Sequence, residues 1–277
     1  MAAALKVASW NVKHFRGEPI RFNRVVAFLA AQNPDVFAIY EVTGSSVYRL
    51  IRNNMPGYSI SITEGEQSQE ILVGAKKNLE PFFTQRPDFR SGVDALRPGA
   101  LVTVTAGGAE YSLLFLHNKS GTAPRDLGLR DDMIRKALKL RGALDKAAVG
   151  NKPANYVFVG DLNTMGMEYR YLRSQDIDAG EEIEKLAKFA KGRKMRLLTK
   201  DAANTWFGSG TTYPPADLDQ VIAAKHLQFK SFPAVDAEGN AFNAAVSVLG
   251  WPKLSGQQRS AWIRSHSDHG LLYFEIQ

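Results

Sequence analysis

Short apolar segments recur along the whole chain, each bounded by polar or turn-forming residues: 6–10, 35–40, 70–75, 101–105, 111–116, 155–159, 218–223 and 271–274. Their length and their β-branched and aromatic content predict strands of a buried sheet. Gly107-Gly108 separates two of these segments by only two residues and predicts a tight hairpin. Helical periodicity falls between strands. Phe22, Val25, Val26 and Leu29 repeat at 3.6 residues, as do Met133, Ile134, Ala137, Leu138, Leu144 and Ala147. Residues 181–198 open with Glu181, Glu182 and Glu184 and close with Lys191, Arg193, Lys194 and Arg196, a distribution that suits a helix dipole at both ends. Ser255 with Gln258 predicts a capping box for a short helix through Trp262.

At 277 residues the chain has the length of one large domain or two ordinary ones. Strands continue to the last residues, and no repeat, low-complexity tract or Pro/Gly/Ser-rich linker divides them, so a single α+β domain over residues 1–277 is expected. With 44% apolar and 23% charged residues, a disordered or fibrous chain is excluded. No apolar run approaches the ~20 residues of a membrane span, and the stretch before Lys6 is too short for a signal peptide. Cysteine is absent, which removes disulfides, thiolate metal sites and cysteine nucleophiles. These features point to a cytoplasmic protein, with secretion by another route left open; no protein partner is inferable.

Charge is distributed unevenly. The chain carries +7, while residues 119–146 hold eight basic and four acidic residues and residues 181–200 hold seven and three. The two segments together outweigh the whole net charge. They favour a polyanionic partner, with a solvated surface as the plain alternative.

Six apolar runs lead directly into, or start directly after, a polar residue: Asn11, Glu41, His117, Asp161, Asp219 and the pair Asp268-His269. One such residue alone is usually a turn or cap. If the six strand ends meet at one edge of the fold, four carboxylates and two imidazoles converge, and like charges at short range need a counter-charge. A divalent cation supplies it, and an oxygen-rich set without cysteine suits Mg²⁺, with Mn²⁺ plausible, better than Zn²⁺.

The blocks Ala8-Ser-Trp-Asn-Val12, Ala38-Ile-Tyr-Glu41, Leu116-His-Asn-Lys-Ser120, Val159-Gly-Asp-Leu-Asn-Thr164, Leu218-Asp-Gln-Val-Ile222 and Ser265-His-Ser-Asp-His269 resemble, in order, those of the endonuclease/exonuclease/phosphatase superfamily, the group that includes deoxyribonuclease I. The resemblance implies a four-layer α/β sandwich, two packed β-sheets flanked by helices, with the site at one edge. It implies that Asn11, Glu41 and Asp268 surround the metal, with Glu41 its most direct ligand. Asp161 and Asn163 would align the attacking water and the scissile phosphate, and His269, held by Asp219, would act on the phosphoryl oxygens or as a base. His117 takes the place of the second family histidine, and Glu70 resembles the acid that orients it. Phosphodiester hydrolysis needs this division of labour because charge builds on the phosphoryl and leaving oxygens together.

Departures from the family pattern bear on substrate. His117 stands where abasic-site endonucleases usually have Tyr. Thr164-Met165 follows Asn163 where inositol polyphosphate phosphatases have x-Arg, and Pro215-Ala-Asp-Leu-Asp-Gln220 lacks their Trp, Cys and Arg. The favoured reading is a metal-dependent phosphodiesterase of the nuclease type acting on DNA or RNA, with Lys119, Arg125, Arg130, Arg97 and the basic end of the 181–198 helix contacting phosphates. The alternative is a phosphoesterase for a phosphoinositide, a sphingomyelin-type lipid or a small phosphorylated molecule. A non-catalytic binding protein on the same scaffold is the third reading, and no motif residue is missing to favour it.

Overall fold

The computed structural model describes residues 5–65, 69–148, 150, 152–208, 210 and 212–277. Its strands are β1 (Leu5–Phe15), β2 (Val36–Val42), β3 (Tyr58–Ile62), β4 (Glu70–Lys76), β5 (Phe82–Arg86), β6 (Gly99–Ala106), β7 (Ala109–His117), β8 (Asn155–Asp161), β9 (Met195–Leu197), β10 (Asp219–Ala224), β11 (Phe232–Val235), β12 (Ala241–Ala244), β13 (Ser247–Leu249) and β14 (Leu271–Ile276). The helices are α1 (Pro19–Ala31), α2 (Ser45–Asn54), α3 (Pro124–Ala147), α4 (Ala179–Gly192) and α5 (Gly256–Ser265). One six-stranded sheet runs β13-β14-β1-β2-β4-β3, the other β5-β6-β7-β8-β10-β9, and β11 with β12 forms a separate ribbon.

Strand alternation sorts the side chains into layers. Val7, Val36, Ala38, Val73 and Phe274 of the first sheet meet Val102, Leu113, Phe115, Val157, Val159 and Val221 of the second in a buried seam. The opposite faces are covered by helices. Ala8, Trp10, Phe37 and Ile39 pack under Phe22, Val25 and Leu29 of α1 and Val47 and Ile51 of α2, with Trp262 of α5 against the same cluster. Leu114, Leu116, Tyr156 and Phe158 pack under Ile134, Ala137 and Leu138 of α3 and Leu186 and Ala190 of α4. Helices, sheet, sheet and helices make the four-layer α/β sandwich, with each sheet buried on both faces.

All eight expected strands form. The hairpin also forms: Ala106 pairs with Ala109, and Gly107 and Gly108 adopt the two positive φ values, 57° and 76°, that a tight primed turn requires. The helix expected over 181–198 is shorter. α4 ends at Gly192, Lys194 turns the chain with φ of 56°, and buried Met195 opens β9, which pairs with β10. Its capping box is Asp178 with Glu181. The box expected at Ser255 does not form: Ser255 occupies the N-cap, but Gly256 enters with φ of 52°, outside helical geometry, and the Ser255 side chain makes no capping bond.

Candidate active site at the joined sheet ends

At one edge of the two sheets the apolar seam gives way to buried polar residues, delivered there by strand parity. His117, Asp161 and Asp219 continue the inward rows of Phe115, Val159 and Val221; His117 is the parallel partner of Asp161, and Asp161 the antiparallel partner of Asp219. Gly160 permits this closeness. A Cβ there would collide with the Leu116 carbonyl oxygen, and the residue has φ of 152°. Glu41 follows a different rule. Its parity with Phe37 and Ile39 would turn it toward the helices, but a register shift in β2 and a left-handed φ of 60° re-aim its carboxylate. It then accepts from Asn11 Nδ2 (3.1 Å) and the His14 amide (2.8 Å).

The resulting network is continuous. Asn11 Nδ2 also donates to Asp161 Oδ2 at 2.9 Å, while Asn11 Oδ1 accepts from the Lys13 amide at 2.9 Å. That second bond fixes the amide orientation, so Asn11 aligns two carboxylates as a donor. His117 Nε2 lies 3.6 Å from Asp161 Oδ2 and 4.0 Å from Glu41 Oε1. His269 Nδ1 bonds Asp219 Oδ2 at 2.8 Å, leaving Nε2 3.8 Å from Asp161 Oδ2. Trp10 Nε1 donates to the His269 carbonyl and Ser267 Oγ to the Asn11 carbonyl, tying the residues before β14 to β1. Thr205 Oγ1 accepts from the amides of Leu218 and Asp219, which fixes the start of β10.

Burial sets the protonation states. It opposes charge on His269, but Asp219 and Asp161 outweigh it and push the imidazole up to about 10, so the ring is cationic at neutral pH. Burial also pushes the Asp161 carboxyl up, with His269 opposing and Asp219 and Glu41 adding to the rise. His117 is driven well below its ordinary value, first by burial and then by Arg97 and His269, and is neutral. Its Nδ1 and both side-chain polar atoms of Asn118 are buried without a hydrogen-bond partner.

One ligand atom from each of Asp161, Asp219 and His269 lies within 4.8 Å of the others. Glu41 and Asp161 face each other across the Asn11 amide. A set that brings the carboxylates of Asp219 and Glu41 close to buried Asp161 fits an oxygen-preferring divalent cation. Asp268, buried next to His269 in the chain, is paired with Lys13, whose Nζ is 2.7 Å from its Oδ2. Asn163, left-handed at φ of 51°, donates its amide N–H to Asp161 Oδ1 (3.1 Å) and its Nδ2 to the Asn118 carbonyl (3.2 Å).

Two expectations change. Glu70 does not orient His117: its carboxylate accepts from Thr63 Oγ1 and the Gly65 amide (2.5 and 2.8 Å). Arg130 is not a surface phosphate contact. Its side chain is fully buried and donates twice to Glu182 and to the carbonyls of Gly121 and Gly166. Arg97 stays beside the site, donating to the Gln69 carbonyl at 3.1 Å and feeling Glu41 and Asp161. Lys119 is partly exposed and 3.2 Å from Asp126 Oδ1, and Arg125 is exposed. Sequence reasoning missed Lys13, His14 and Asn118; the only signal was their position two, three and one residues beyond singled-out positions.

The family model described as Endonuclease/Exonuclease/phosphatase family matches residues 8–269. No curated protein matches the chain. Among solved structures, truncated TDP2 from Caenorhabditis elegans superposes with a TM-score of 0.66 at 16% identity, covering 98% of this chain and 97% of that one. TDP2 from D. rerio complexed with single strand DNA product gives 0.59 at 19% identity, covering 99% and 98%. The mannosyl-6-phosphatase Bt3783 of Bacteroides thetaiotaomicron gives 0.57 at 14%, covering 99% of both chains.

Proposed function

Because the chain belongs to the endonuclease/exonuclease/phosphatase family, we propose that it is a divalent-metal-dependent phosphodiesterase, a nuclease that hydrolyses DNA, with RNA as the second polymer to test. The observation that supports this reading most is His269, held by Asp219, with its free nitrogen facing Asp161, and with His117 and Glu41 alongside.

Glu41 and Asp161, aligned by Asn11, would hold Mg²⁺ or Mn²⁺, with Asp268 and its Lys13 partner adjoining. Such a cation supplies electrostatic stabilisation of charge developing on phosphoryl and leaving oxygens. The chain's own groups divide the rest. His269 Nε2–H, cationic because two carboxylates face the ring, donates to a phosphoryl oxygen. Asp219, accepting from Nδ1–H, fixes that ring's orientation. Asp161, placed between the two imidazoles, orients a water and accepts its proton. Neutral His117 offers Nε2 on the other side of Asp161.

The polymer reading draws on the basic residues Arg97, Lys119 and Arg125 and on the fold shared with TDP2 complexed with single strand DNA product. A phosphoesterase reading draws on the fold shared with a mannosyl-6-phosphatase and on the burial of Arg130, which takes one cation out of any phosphate track. One assay separates them: supercoiled plasmid, single-stranded DNA, RNA, a phosphatidylinositol phosphate, sphingomyelin and mannose 6-phosphate, each with Mg²⁺ and with chelator. Cleavage of polymer alone supports the nuclease; turnover of a small or lipid phosphoester alone replaces it.

A further inference from the structure

The two basic segments do not flank the catalytic edge along their length. Arg130, near the start of α3, is locked inside, and the later part of that helix runs toward the opposite end of the second sheet. There Arg141 of α3, Lys152 before β8, Lys194 before β9, and Lys225 and His226 after β10 line a cavity of about 770 Å³, with Asp145 the one acid among its lining residues. Asn155 opens β8 at this end, and Asp161 closes it six residues later, about 20 Å away at strand rise.

The cavity is not a mere cluster of surface lysines. Arg141 is 3% exposed, yet its Nη1 is buried with no hydrogen-bond partner. Its Nε donates to Asp145 Oδ1 at 2.7 Å, and the same oxygen also accepts from the Ala154 amide at 2.8 Å. A guanidinium N–H left unpaired in a buried position is costly and calls for an acceptor. Around it, Lys152, Lys194 and Lys225 are exposed and carry only positive charge, and His226 is anchored through Nε2 to Asn155 Oδ1 at 2.9 Å. The charged groups acting on that ring are Arg141 and Asp145.

We infer that this cavity is a second phosphate-binding site, distinct from the catalytic edge, taking a phosphate dianion either free or as a monoester. Arg141, held by Asp145, lines the cavity with its guanidinium, and the three lysines arrive from separate segments around it. A monocarboxylate leaves most of that charge unmatched, whereas a tetrahedral dianion accepts from several donors at once. The volume leaves room for a small organic group beyond the phosphate.

The test uses the full chain in excess chelator, so that no metal brings phosphate to the catalytic edge. Thermal unfolding is followed while inorganic phosphate, glycerol phosphate or sodium chloride of equal ionic strength is raised. The expected result is a stabilisation of about 2–4 °C that grows with the logarithm of phosphate above its dissociation constant and is absent with chloride. Whichever phosphate form acts at lower concentration identifies the source. The Lys194→Gln/Lys225→Gln double variant, changed only at exposed positions, should lose the effect, and Asp161→Asn should keep it. Arg141→Gln should also lose it, but the surface variant decides the matter if that protein does not fold. An equal shift with chloride, or a full phosphate effect in the double variant, overturns the inference.

Discussion

The Arg130 guanidinium and the Glu182 carboxylate meet as a two-pronged pair inside the protein, Nε to Oε1 at 2.8 Å and Nη2 to Oε2 at 2.9 Å, with side-chain exposures of 0% and 4%. Glu182 also accepts from the Gly166 amide, so the pair pins α3, α4 and the loops following His117 and Asn163. Breaking a buried pair by removing one member strands the other charge. Arg130→Ala is therefore expected to cost about 3–5 kcal/mol in urea unfolding. Unchanged stability with weakened nucleic-acid binding would return Arg130 to the surface role read from sequence.

Arg125, exposed on the same helix, should behave differently. With cleavage suppressed in chelator, log affinity for duplex DNA should fall linearly with log salt. Arg125→Ala should flatten that slope by about 0.9 for each phosphate the variant no longer neutralises, or by about 0.7 on a single strand. Its unfolding should match wild type. A binding slope near zero in the parent protein would favour the phosphoesterase reading.

Chelation should abolish turnover. Glu41→Ala, which removes the carboxylate that Asn11 and His14 hold in place, should raise the metal needed for half-maximal rate by at least the ~10–100-fold known for losing indirect neighbours of a metal. Full activity in excess EDTA would reject the metal role.

His269→Ala and His117→Ala should each lower the rate by about 10² to 10⁴, with circular dichroism unchanged. Near-parental rates in both variants would mean that neither imidazole takes part in the chemistry.

The buried neutral His117 also makes a prediction for stability in metal-free protein. Its folded pKa lies well below the ordinary 6.5, mainly because burial disfavours the charged ring. Below pH 6.5 the unfolded chain therefore binds the proton and the folded chain does not, so stability falls as pH falls. Urea midpoints measured from pH 7 down to pH 5 should decline less steeply in His117→Gln than in the parent. Parallel declines would show that this ring is not the group responsible.

Much of this was legible because burial on both faces of each sheet writes long apolar runs into the sequence, and the polar residue that ends each run lies where the apolar seam stops. Asp161, Asp219 and His117 needed only strand parity to be brought together. What escaped is what sequence distance hides. Arg130 reads as one more surface cation because Glu182, the partner that buries it, lies 52 residues away. Glu70 opens its strand as expected, but its orientation toward Thr63 and Gly65 depends on side-chain contacts that periodicity does not encode. β9 has three residues and β5 is an edge strand with an exposed Phe82, too little apolar signal to stand out. In the 181–198 segment, basic residues past Gly192 read as a helix end, although the buried-exposed alternation of Met195 and Arg196 belonged to a strand.

The left-handed backbone at Glu41 bears on how this protein can be changed. A non-glycine residue held at φ of 60° stores conformational free energy that a glycine would release. Selection for heat tolerance alone should therefore drift toward Glu41→Gly, a substitution that relaxes the bend while deleting the carboxylate the bend exists to aim. Robustness and activity compete at that one position, and a screen that scores only folding would enrich hardy but inert proteins.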